Sequence, residues 1–401
     1  MKKALWALVL CRSVLASIVL DTDAAQQIDN AVFQADVEIL SSSTMSDDRT
    51  YAVTRTLARV NAIHATRPDG GWIPDVGNTF WLDTPGGEIG ETGVTYSTYP
   101  RAYVGRRYHA ALRRLNNGAF ASVASGQGLV DMDARRNFSR NRTDGSNGQG
   151  TGAYLHWDSA YMPIPYYISF PTLGFRLEWV DAIDASFGAW REREDTMLEF
   201  LPMGCAQTAA NLNDGVNTLI YVTNDWPFEV TAIAITRNFY VAGDGPRAGL
   251  ILDTDIMLNG DETLINQGIA HGFTTTGEAN CHDLQNILTH EVGHFIGLGH
   301  ETTPKDSDAT MYETAQLGET LKRSLSQNDI DGLMSAYSGV GQKVWLFSSA
   351  AACAMSSGIF SCAAVHGSRP DPETVVWMFL AIGLSFGAGR TVIRALKRRR
   401  E

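Results

Sequence analysis

Residues 290–300 read His-Glu-Val-Gly-His-Phe-Ile-Gly-Leu-Gly-His, and this run constrains local geometry more tightly than any other part of the chain. On a helix, His290 and His294 stand one turn apart, so both imidazoles leave the same face with Glu291 beside them. His300 cannot join them from the same helix unless the chain turns back. Gly297 permits that reversal, because a residue without Cβ takes the left-handed conformation that ends a helix, and Gly299 loosens the path onward. Three neutral imidazoles arranged this way suit a borderline-soft ion such as Zn2+ and leave a fourth position for water. The chain has nine histidines, so a bare His-Glu-x-x-His could be fortuitous, and the addition of Gly297 and His300 is what makes the pattern specific.

The flanking residues agree. Leu284, Ile287, Leu288, Val292 and Phe295 recur at three- and four-residue spacings, which predicts an amphipathic helix buried on one side, with Asp283 near its positive end. On such a rigid element a metal would polarise a carbonyl and lower the pKa of a bound water, and Glu291 would serve as the base that takes the water proton and passes it to a leaving amine. The implied reaction is hydrolysis of a peptide bond without a covalent acyl-enzyme.

The whole run from His290 to His300 resembles the zinc signature of the metzincin metallopeptidases, and Ala309-Thr310-Met311-Tyr312 resembles their Met-turn, with Met311 as an apolar floor under the imidazoles and not as a ligand. Within that group the similarity is to the matrixin branch, because Tyr312 directly follows Met311 and Leu325–Tyr337 resembles the helix that comes after the turn. Ser326 and Asp329 form a capping-box pattern there, and Ile330, Leu333, Met334 and Tyr337 its buried stripe. The resemblance implies an α+β catalytic domain over residues 155–340, with a twisted mixed sheet, a zinc helix, a Met-turn and a C-terminal helix. The linker from His300 to Met311 is longer than in compact members and Glu313 stands where proline is usual, which bears on the wall of the primed-side pocket.

Strands are expected at Ile164–Phe170, Thr218–Val222, Ala232–Thr236 and within Gly249–Asn259, with a helix carrying Leu177, Val180, Ile183, Phe187 and Trp190 between the first two. The family has an edge strand that pairs with extended substrate, and the pattern does not say which strand that is. Asp253 and Asp255 could bind a structural Ca2+, against surface or backbone-capping roles. Glu301 reads as a loop ion-pair partner or solvated acid, with a supporting role behind the metal as the other option. Cys205 and Cys281 are expected to pair as a disulfide if the protein is exported.

Export is suggested by residues 1–20, where Met1-Lys2-Lys3 precedes two apolar patches in the manner of a signal peptide. Residues 28–153 allow a prodomain or accessory domain, with helical character expected at Tyr51–His64 and Tyr103–Leu115 and loops at Arg67–Gly90 and Arg135–Thr151. No cysteine lies there to cap a zinc ion, so the matrixin cysteine switch has no counterpart. At the far end, Cys353 and Cys362 precede an apolar stretch and an arginine cluster, and residues 353–401 resemble the C-terminal sorting tags of myxobacterial surface proteins. Residues 375–396 could anchor in a membrane with arginines reaching the interface. With 32 basic against 44 acidic residues and no base-reading module, nucleic acid is not an expected partner. These features describe a zinc metalloendopeptidase, secreted or at the surface of a bacterium, acting on extracellular protein or peptide. The alternative is an inactive metzincin-like adhesion or structural protein, against which the intact Glu291 argues.

Overall fold

Alternation with period two governs the first part of the chain. Ala52, Thr54, Thr56, Ala58 and Val60 are all buried while the residues between them are not, which is the pattern of a strand and not of a helix. The computed structural model describes residues 19–20, 27–47, 51–67, 71–97, 101–123, 128–132, 138–145, 152–169, 177–205, 214–302, 304–339, 348–349 and 352–353. In it, both segments expected to be helical are strands, because β-branched and alternating residues favour a pleated, half-buried surface over a helix face.

Strands β1 (Phe33–Asp47), β2 (Tyr51–Thr66) and β3 (Thr79–Pro85) are followed by two short strands, β4 (Gly87–Ile89) and β5 (Thr92–Tyr96). Then come β6 (Arg107–Arg114), β7 (Phe120–Ser122) and β8 (Leu129–Asp131). Six of them form one sheet in the order β1-β2-β3-β7-β6-β8, which closes on itself because β1 also pairs with β6. Phe33, Phe80 and Phe120 meet inside it, the rings 5.2–6.1 Å apart.

The other two, β4 and β5, leave that sheet and join the second. There β9 (Ile164–Ser169), β10 (Phe200–Cys205), β11 (Thr218–Val222), β12 (Ala234–Val241) and β13 (Ile251–Asn259) make a mixed sheet in the order β10-β9-β11-β13-β12-β5-β4. All pairings from β10 to β13 are parallel, and β12 runs antiparallel to both β13 and β5. Helices α1 (Leu177–Arg191) and α2 (Leu284–Phe295) pack on this sheet, and α3 (Gln327–Tyr337) follows. Their shared core is aromatic. Phe187 stacks on Tyr166 at 4.0 Å and meets Phe295 edge-on at 5.8 Å, while the Trp190 indole N–H donates to Thr289 O at 2.7 Å across α1 and α2.

Cys205 is bonded to Cys353, and Cys281 is a free thiol, which corrects the expected Cys205–Cys281 pair. The reason is tertiary. Cys205 ends an outer strand of the sheet, and the chain after α3 comes back to that region, where Ser349 N–H donates to both Asp184 carboxylate oxygens at 3.0 Å and Ser349 Oγ pairs with Tyr166 Oη at 2.9 Å. Of the segments expected at the two ends, residues 1–18 and 354–401 lie outside the described residues. Among the described residues no helix is long and apolar enough to cross a membrane.

Candidate metal centre

The site is built from the start of α2. Asp283 caps this helix by accepting from Asn286 N–H at 2.9 Å, and the Arg323 guanidinium holds the same carboxylate in an ion pair. The helix then runs unbroken through His290, Glu291 and His294, all fully buried. It stops at Ile296, and Gly297 turns the chain back with φ +93°. A Cβ at Gly297 would stand 2.5 Å from Leu155 O, so both conformation and space exclude a side chain. Gly297→Ala is therefore expected to lower stability by roughly 1–3 kcal/mol and to weaken metal binding with it, which thermal unfolding and a zinc titration of the variant would measure.

The reversal brings His300 to the other two. His290 Nε2 lies 2.9 Å from His294 Nε2 and 3.1 Å from His300 Nε2. His290 Nδ1 faces Thr310 O at 2.7 Å and His294 Nδ1 faces Leu298 O at 2.9 Å. A carbonyl only accepts, so each Nδ1 carries the proton and each neutral ring turns a lone pair from Nε2 toward its neighbours. Burial holds all three rings neutral: it pushes His294 down to about 4 and His290 and His300 well below the ordinary imidazole value. Converging lone pairs repel unless a cation lies between them. The donor set, its spacing and the fixed tautomers therefore fit Zn2+.

Met311 lies buried directly beneath α2, so close that a Cβ on Gly293 would collide with its Sδ. Glu291 turns the other way. Thr236 of β12 donates its hydroxyl to Glu291 Oε2 at 2.6 Å, and Asn238 Nδ2 donates to His294 O at 3.0 Å, so β12 is fastened to the ligand helix at two points. Neither contact was foreseen from sequence, because a Thr and an Asn in a strand carry no signal of the helix they face. A third unforeseen role belongs to Asp329. Beyond its capping box with Ser326, its carboxylate accepts from the backbone N–H groups of Thr310 and Met311 at 2.7 and 3.0 Å, which fixes the turn that faces His290.

Other expectations change. Glu301 is buried, so it is not a solvated acid, and burial pushes its carboxyl up to about 8. Asp253 and Asp255 are also buried, which removes the surface reading. Asp255 instead pairs with Arg237 at 2.8 Å, and burial still raises it to about 8. Among the described residues, the groups of three that could hold an ion are His290/His294/His300 and Asp36/His64/His109, neither of which includes these aspartates.

One part of the chain is similar in sequence to known proteins. Residues 164–338 match the matrixin family model. The matrixin segment contains the three histidines, Glu291 and Met311, and the match supports a metzincin-type zinc metallopeptidase domain. Metalloendoproteinase 1 of Glycine max is 38% identical over 70 residues, covering 17% of this chain and 22% of that protein. Metalloendoproteinase 2-MMP of Arabidopsis thaliana is 30% identical over 115 residues, covering 26% and 29%. The chain thus spans less than a third of the length of these relatives. A solved structure of High choriolytic enzyme 1, a hatching enzyme zinc-protease from Oryzias latipes, is 10% identical and covers 45% of this chain and 92% of its own, with a TM-score of 0.23 that carries no argument.

Proposed function

We propose that the matrixin segment is a zinc-dependent endopeptidase acting on extracellular protein or peptide, with His290, His294 and His300 as metal ligands and Glu291 as general base. The observation that carries this is the convergence of three imidazoles, two of them fixed in tautomer by backbone carbonyls, next to a carboxylate that is held separately, by Thr236, and so is not spent as a ligand. A purely structural zinc site would be closed by four protein ligands, whereas three leave one position for chemistry.

When bound, Zn2+ supplies Lewis acidity and lowers the pKa of water to near neutrality. The chain's own residues do the rest. Glu291 takes a proton from the attacking water as its oxygen bonds to the scissile carbonyl carbon, then delivers that proton to the amine nitrogen as the C–N bond breaks. Thr236 keeps the carboxylate oriented through its single hydroxyl proton. Met311 supports the ligand helix from below as the Met-turn floor, and Thr310 and Leu298 hold the two rings at the correct tautomer. Residues 1–20 as an export signal and residues 353–401 as a sorting or anchoring segment complete the proposal for a cell-surface or secreted enzyme.

The test is a mixed peptide library incubated with zinc-loaded protein, both intact and after cleavage between residues 132 and 138, with products read by mass spectrometry. Absence of cleavage in both forms, and in variants whose β5 is displaced from β12, with zinc demonstrably bound, overturns the proposal. Chelation offers a second measurement. A ligand present at a thousandfold its Kd stabilises the native state by about 4 kcal/mol, so stripping zinc should lower Tm and re-addition should restore it.

A further inference from the structure

Within the matrixin segment, β12 is the last strand of the sheet, and it is the strand bonded to both Glu291 and the His294 carbonyl. A bare edge strand offers a row of unpaired N–H and C=O groups, and an extended peptide laid along it gains main-chain hydrogen bonds with little regard to sequence. Here that edge is already taken. Strand β5 pairs antiparallel with β12 from Thr92↔Val241 to Tyr96↔Arg237, and the pairing continues one residue further toward the metal: Ser97 N–H donates to Thr236 O at 3.0 Å and Ser97 Oγ accepts from Thr236 N–H at 3.2 Å. Ser97 therefore sits on the same residue that orients the Glu291 carboxylate.

We infer that β5 is a built-in occupant of the peptide-binding edge, so that the intact chain is latent and becomes active when β5 leaves β12. The inference rests on the peptidase reading above. It explains latency without a zinc-capping cysteine, because the block is on the substrate's hydrogen-bonding partner and not on the metal.

Two features mark the pairing as fitted and not incidental. Gly93 lies against the buried Tyr240 ring so closely that a Cβ would stand 2.6 Å from it, so only glycine lets β5 settle there. Glu88, on the adjoining β4, accepts from Gly243 N–H at 3.0 Å just beyond the end of β12, and from Asp144 N–H at 2.6 Å. The block is thus held at the outer end of β12 by Glu88 and at its inner end by Ser97.

Gly93→Val and, separately, Thr95→Pro should dislodge β5 in the full zinc-loaded chain without touching a ligand or the base. Each is expected to raise kcat/KM on the peptide library at least tenfold over the intact chain. A synthetic peptide of residues 91–97 added in trans should then inhibit both variants. A readout independent of turnover is amide exchange at Thr236, Asn238 and Tyr240, the alternate positions of β12 whose N–H groups face β5, expected to become fast in the variants and slow again with the added peptide. Intact chain that cuts as fast as both variants, or Thr236, Asn238 and Tyr240 amides that stay protected in variants that retain zinc, overturns the inference. Variants that expose β12 and bind the peptide but cut nothing sink the peptidase reading and leave the occupied edge standing.

A different observation carries a second site. On the outer face of the closed sheet, Asp36 of β1 lies opposite His109 of β6 in register, and His64 of β2 reaches the same carboxylate oxygen: Oδ1 is 2.9 Å from His64 Nε2 and 3.0 Å from His109 Nδ1. Two imidazoles and a carboxylate on three hydrogen-bonded strands form a half-exposed, preformed face with open positions toward solvent. The geometry points to a second site for a divalent late transition-metal ion, zinc being the probe. Zinc titration of the intact chain is expected to reach two ions. His64→Ala/His109→Ala should take up one, His290→Ala one, and the triple variant none. A single ion on the intact chain, lost entirely on His290→Ala, overturns it, as does full uptake by the His64→Ala/His109→Ala variant.

Discussion

Glu291→Gln is expected to lower kcat of the activated protein by 10²–10⁴-fold, about 3–5 kcal/mol in the barrier, while zinc uptake and Tm stay close to those of the parent. The size follows from what the carboxylate alone can do. Gln keeps the volume and still offers an oxygen to the Thr236 hydroxyl, so the contact between β12 and α2 survives, but an amide cannot take a proton from water at neutral pH. The ligand rings are fixed by the carbonyls of Thr310 and Leu298, neither of which involves Glu291, which is why metal binding should be unaffected. Steady-state kinetics on a single cleaved peptide, with metal content measured on the same sample, decides it. A variant with unchanged kcat removes Glu291 from the role of base, and one that loses zinc shows that the residue is structural.

What could be read from sequence was the part whose geometry is local. His290, Glu291 and His294 lie on one helix, and Gly297 directs the return to His300, so spacing alone placed them together; the strand at Thr218–Val222 and the helices around Val180 and Ile330 were likewise set by periodicity. Where geometry is non-local, pattern was silent or misleading. Tyr51–Thr66 has apolar residues that fit a helix stripe nearly as well as a strand, and only its partners β1 and β3 settle the matter. The Cys205 partner depends on where the chain returns after α3, and β5 carries nothing in its five residues that says it will cover β12. Gly93 is the one trace of that pairing in the sequence, and its meaning appears only once Tyr240 is seen against it.

The same distinction governs Asp329, whose local role as a helix cap conceals a larger one. Its buried carboxylate accepts from four donors: Thr310 N–H, Met311 N–H, and the N–H and hydroxyl of Ser326, the last two both at 2.8 Å. Asp329→Ala leaves the Thr310 and Met311 amides buried with no acceptor, and each orphaned donor costs about 1–3 kcal/mol in addition to the lost charge-assisted bonds. The expected loss is roughly 3–5 kcal/mol, or about 10 °C in Tm for a domain of this size. It should not remain a stability effect alone. Thr310 O is the acceptor that fixes the His290 tautomer, so a loosened turn lets that ring rotate, and zinc affinity should fall by the 10–100-fold typical when a ligand loses its outer partner. Asp329→Asn retains one acceptor oxygen and should fall between the parent and Asp329→Ala on both measures. A variant whose Tm drops while its zinc affinity is unchanged would break the link from α3 through the Met311 turn to the metal.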